Sequence, residues 1–118
     1  YISWISLGIA AMSGGSGTGI SAQSTPGFDS CAKVVIHETG HSLHAHKVGS
    51  VEEFFKPASD GRWKGKVDGA SDVSGYAAGN KKEFVAEFFL GSIIGRKYSQ
   101  ALKDAYIALD GPTVPGFI

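Results

Sequence analysis

The chain has 118 residues and a mass of 12.3 kDa, which allows one domain with one core, burying roughly 65% of the surface its unfolded form exposes, and leaves no room for a second. Eleven Lys and Arg balance eleven Asp and Glu, and no basic stripe forms, which argues against a nucleic-acid partner held through its phosphates. No run reaches the roughly 18 apolar residues needed to span a bilayer, and the single Cys31 rules out an intrachain disulfide, so packing and a bound metal are expected to hold the fold.

Residues 1–12 alternate apolar and small polar positions, with Ile5, Leu7 and Ile9 set against Ser6 and Gly8, which is the period of a β-strand. The opening at Tyr1, with neither Met nor a basic leader, reads as the start of a processed or excised part of a longer product. Residues 13–27 are rich in Gly, Ser and Thr and end on Thr25-Pro26-Gly27, the composition of a linking loop. Asp29 or Ser30 can cap a helix running through Val34-Val35-Ile36 and two histidines to about Lys47, with Gly49 just past its end. Gly40, inside that helix, lowers its propensity by about 1 kcal/mol relative to Ala, so its presence implies close approach by another element.

Ser50-Val51-Glu52-Glu53 has the form of a capping box and starts a short helix through Phe54 and Phe55, which Pro57 closes. Positions 58–79 are glycine-rich without apolar periodicity and read as an irregular connection, with Arg62-Trp63-Lys64-Gly65-Lys66 as a solvated loop. Asn80 can cap a third helix from Lys81 to about Ile94, ended by Gly95. Ser99 can cap a fourth, with Leu102, Ala105, Tyr106 and Leu109 on one face before Asp110-Gly111-Pro112 stops it. The expected architecture is a single, mostly helical α+β domain over residues 1–118, with a small sheet or edge strand supplied by residues 1–12.

The chemistry is concentrated in His37-Glu38-Thr39-Gly40-His41. A helix turns about 100° per residue, so two histidines four apart project from one face and can reach one metal ion. Glu38 lies about 100° further round, where it can act on water at the metal as a general base without becoming a ligand. Chance produces this pattern in only roughly one chain in two hundred of such composition. Zinc is the metal this arrangement fits, and a catalytic zinc site needs a third protein ligand. The metzincin solution would place Gly at 44 and His at 47, but this chain has His44 and Lys47. His44 itself would lie about 10 Å along the axis from His37 and cannot close the site. His44 and His46 are therefore read as surface residues or as supports of the site. Glu83 and Glu87, four apart on the third helix, remain as candidates, and spacing alone leaves the choice between them open.

The two patches together resemble a known family. His37-Glu38-Thr39-Gly40-His41, followed by Ser74-Gly75-Tyr76-Ala77-Ala78-Gly79-Asn80-Lys81-Lys82-Glu83-Phe84-Val85-Ala86-Glu87-Phe88-Phe89, is similar to the gluzincin metallopeptidases of the anthrax lethal factor type and the secreted Pro-Pro endopeptidases. The resemblance covers about 21 residues of the chain. It implies a zincin-like catalytic domain in which Glu83 is the third zinc ligand, Glu87 supports the site from behind and Tyr76 points at the reacting oxygen. It also implies a secreted zinc endopeptidase acting on a peptide or protein substrate. The rival readings are a zinc-stabilised binding or toxin module without turnover, and a zinc hydrolase of a non-peptide substrate. Two departures stand out: His44 lies where relatives often carry an acidic residue, and the Gly-rich stretch before the first helix is unfamiliar.

Overall fold

Each helix begins where a side chain takes over an otherwise orphaned N–H. The computed structural model describes residues 19, 20, 23 and 25–114. Asp29 accepts from the Ala32 N–H at 2.7 Å and opens α1, Ser30–Val48. Ser50 accepts from Glu53 and opens α2, Val51–Phe54. Asn80 accepts from Glu83 at 2.9 Å and opens α3, Lys81–Ile93, and Ser99 accepts from Leu102 and opens α4, Gln100–Ala108. Caps of this kind are worth about 1 kcal/mol each. Gly49 closes α1 in the left-handed conformation, with its N–H on the Ala45 carbonyl.

The α3 helix is the centre of the molecule. Phe84 through Gly91 are all buried, as expected of a helix that is apolar nearly all round. Phe88 stacks on Tyr106 of α4 at 4.4 Å between ring centroids, and Leu102 and Leu109 complete that side. The other side receives α1, and Gly40 is what lets it come close: a Cβ there would lie 3.0 Å from Phe89 Cδ2 and 3.4 Å from Ala86 Cα. The close approach read from Gly40 is thus to α3.

The irregular connection between α2 and α3 carries two single 3-10 turns, Gly61–Trp63 and Ala70–Asp72. The reading of residues 62–66 as a solvated loop needs correction at Trp63, which is fully buried. Its indole N–H donates to the Glu53 carbonyl at 2.8 Å, and its ring packs against Phe54. A large apolar ring wins over its charged neighbours: Lys64 and Lys66 are exposed, and Arg62 lies over the indole with its charge on Asp110.

The expected small sheet has no support among the described residues. Among the described residues there is no strand, and the one ladder-type pairing is an isolated bridge between Thr25 and Phe28 across Pro26-Gly27. Main-chain hydrogen bonds outside the helices close turns and caps instead. The strand read at residues 1–12, and most of the loop read at 13–27, lie outside the described residues. No helix among the described residues is long and apolar enough to cross a membrane.

Candidate metal centre

Two helices bring the site together. His37 and His41 stand one turn apart on α1, with ring centroids 4.8 Å apart and planes at 80°, and their Nε2 atoms are 3.1 Å from each other. From the first turn of α3, Glu83 sets Oε1 3.0 Å from His41 Nε2 and Oε2 3.1 Å from His37 Nε2. The ligand-type atoms of the three residues all lie within 4.8 Å of one another, so His37, His41 and Glu83 form a group that could hold a metal ion. The N–H of Glu83 is the one capped by Asn80. Its main chain therefore completes half of a capping box, while its carboxylate turns to the histidines.

The donor chemistry fits a cation. His37 Nδ1 faces Glu87 Oε2 at 2.9 Å, so the neutral ring carries its proton on Nδ1 and leaves Nε2 as a lone pair. That lone pair faces another imidazole nitrogen and a carboxylate oxygen, an arrangement stable only with a proton or a metal between them. In the metal-free protein the proton takes that place. Burial pushes His37 down, but the Glu83 and Glu87 carboxylates outweigh it and hold the ring up at about 10. Burial would likewise raise Glu83, yet its hydrogen bonds to His37 and His41 hold it well below the usual carboxylate range.

Glu87 is nearly sealed from solvent, with a 1% exposed side chain. Its Oε2 meets His37, while Oε1 accepts from the Ile20 N–H at 2.7 Å and from Ser74 Oγ at 2.8 Å. Tyr76 lies at the site's edge, 38% exposed, its ring centroid 6.1 Å from that of His37. Glu38, the residue after His37 on α1, is half-buried. Of these participants, Ile20 carried no sequence signal, and Ser74 is marked only by its place two residues before Tyr76.

The reading of His44 is overturned. Rather than lying at the surface or touching the site residues, it is fully buried in the core. Its Nε2 donates to the Leu109 carbonyl at 2.8 Å, and its ring stands edge-on to Phe54 and Trp63, each 5.2 Å away. Its Nδ1 has no hydrogen-bond partner among the described residues. Burial dominates and pushes His44 down to about 4, against a smaller upward effect of the Leu109 carbonyl. The signal was in the spacing: His44 follows the inward-facing Gly40 by four, on the buried stripe of α1. His46 is exposed. No protein-family model, curated protein or solved structure matches the chain.

Proposed function

We propose that this chain is a zinc-dependent endopeptidase in which His37, His41 and Glu83 hold the metal and Glu38 is the general base. One observation carries the reading: two imidazole nitrogens and a carboxylate converge from two helices at 3.0–3.1 Å. Two His and one Glu make up the ligand set of catalytic zinc sites that keep a position open, whereas all-oxygen sets suit magnesium or calcium. The resemblance of the two sequence patches to gluzincin peptidases supports the same assignment.

Zinc at such a site supplies Lewis acidity and lowers the pKa of water towards 7. Glu38 accepts the proton of the attacking water and delivers it to the leaving amine. Tyr76, whose ring stands 6.1 Å from that of His37, donates its hydroxyl proton to the oxyanion that develops on the scissile carbonyl. Glu87 keeps the His37 proton on Nδ1, so that Nε2 stays a ligand.

The test is incubation of the zinc-loaded chain with a diverse peptide library, with and without a chelator. Cleavage that stops on chelation and returns with added zinc is the expected result. Cleavage indifferent to the chelator, or stoichiometric zinc with no cleavage, would overturn the proposal, the second outcome pointing to a zinc-stabilised module without turnover.

A further inference from the structure

We infer that Lys33 is a positioning residue for the metal centre, acting through the main chain of Ile20 on Glu87 and thereby on His37; the inference rests on the metal reading proposed above. Lysines usually carry the ammonium to solvent even when the stem is covered. Lys33 does not. It sits on α1 one turn before His37 and is 2% exposed. Its Nζ donates to the Ile20 carbonyl at 3.4 Å and to the Gln23 carbonyl. Both partners are neutral main-chain oxygens, and neither repays on its own the loss of hydration of a charge.

The compensation lies at the other end of the same residue. Ile20 is fully buried, and its N–H donates to Glu87 Oε1 at 2.7 Å. One residue thus turns its carbonyl to a buried cation and its N–H to a buried carboxylate, and each charge polarises the main-chain group it meets. Glu87 in turn holds His37 Nδ1 at 2.9 Å. The chain of contacts runs Lys33, Ile20, Glu87, His37, and its two ends are a turn apart on α1.

Gly19 shows how closely this segment is fitted to the site. A Cβ there would lie 2.6 Å from Tyr76 Cδ2 and 2.7 Å from Glu87 Oε1. The main chain at Gly19–Ile20 therefore bounds both the carboxylate that orients a ligand and the ring that stands at the edge of the site. Lys33, by gathering the Ile20 and Gln23 carbonyls, fixes where that main chain lies. Without the ammonium the Gln23 carbonyl loses that donor and the Ile20 carbonyl keeps only the Gln23 N–H of its own segment, at 3.0 Å, so nothing on α1 holds this main chain in place and the Ile20 N–H is less firmly set on Glu87, which otherwise has Ser74 and His37.

The experiment compares the full chain with its Lys33→Met, Lys33→Arg and Gly19→Ala variants. The readouts are zinc affinity by competition with a chromophoric chelator, the visible absorption of the cobalt-substituted protein, and the His37 Nδ1–H resonance of the metal-free protein. Lys33→Met should weaken zinc binding about tenfold, the lower end of the range for groups behind a metal ligand, and Lys33→Arg should recover it to within about threefold. Gly19→Ala should weaken zinc binding and shift the cobalt bands, because its methyl must displace Glu87 or Tyr76. A purely structural lysine would lower the melting temperature of Lys33→Met and leave zinc affinity and the cobalt spectrum of the folded variant unchanged; that result overturns the inference. If Lys33→Met does not fold, Gly19→Ala decides, and unaltered zinc affinity and cobalt bands there have the same force. If the wild type binds no zinc, the metal reading fails on its own. The inference then stands or falls on whether the His37 Nδ1–H resonance moves in the Lys33 and Gly19 variants.

Discussion

A buried histidine that stays neutral makes stability depend on pH in a window that can be named. In the folded chain His44 is held at about 4, against 6.5 for the ordinary side chain. Above 6.5 both folded and unfolded forms carry a neutral ring and the contribution is complete. Below 6.5 the unfolded chain binds a proton that the folded chain refuses, so stability falls with pH until the folded ring titrates near 4. The gap of about 2.5 pH units, at about 1.36 kcal/mol per unit, amounts to on the order of 3 kcal/mol. The perturbation is His44→Gln, which keeps an amide donor for the Leu109 carbonyl and removes the titration. The assay is urea unfolding of the metal-free protein at pH 6.5 and pH 5.0, taking the difference between wild type and variant so that other titrating groups cancel. At pH 6.5 the variant should be less stable by about 1 kcal/mol, having lost the edge-on ring packing on Phe54 and Trp63. By pH 5.0 the wild type should have lost about 2 kcal/mol that the variant keeps, so the order of stability reverses. A wild-type-minus-variant difference that is the same at both pH values would refute the argument from burial.

The other predictions concern the centre and its supports. Glu38→Gln should retain stoichiometric zinc while peptide cleavage drops by at least about a hundredfold; cleavage near the wild-type rate would remove Glu38 from the base role. Glu83→Gln should lose zinc on dialysis against a weak chelator, read by metal analysis. If occupancy survives there and falls only in Glu87→Gln, the two carboxylates have exchanged roles. Gly40→Val should destabilise by about 1–3 kcal/mol in urea unfolding, because its added methyls meet Phe89 and the Ala86 main chain; an unchanged midpoint would mean that α1 can move off α3 freely.

The parts of the fold legible in the sequence were those fixed by local chemistry. Asp29, Ser50, Asn80 and Ser99 each announce a helix start because a short polar side chain next to an orphan N–H has little else to do. The inward face of α4 follows from its helical period. The coming together of His37 and His41 follows from helix geometry alone, but the arrival of Glu83 depends on α1 and α3 meeting, and only Gly40 hinted at that. What stayed hidden was set by tertiary partners distant in sequence. His44 is polar and next to a polar neighbourhood, yet Leu109, sixty-five residues on, offers it a carbonyl in the core. Nothing in the sequence marks Lys33 as buried, because its partners are main-chain carbonyls of Ile20 and Gln23 that carry no residue signature. Trp63 sits among charges that mark a loop, and its burial follows from Phe54 and Glu53 waiting for the ring.

The i, i+4 carboxylates of α3 could not be told apart by spacing, but their surroundings differ. Glu83, in the first turn, keeps a 27% exposed side chain and meets the two Nε2 atoms. Glu87, one turn deeper, is 1% exposed and meets His37 on its other nitrogen. The His37 ring is thus gripped by a carboxylate at each end, and its 12% exposure against 23% for His41 makes it the more fixed of the pair. Glu83, 27% exposed, and Glu87, 1% exposed, bring two carboxylates to one imidazole. Two like charges there raise each other's energy unless something neutralises them. In the metal-free protein the proton on His37 supplies positive charge between them, and in the proposed zinc site the ion would take over that part. This pairing of one imidazole with two carboxylates is what supports the proposed assignment of Glu83 as ligand and Glu87 as its support.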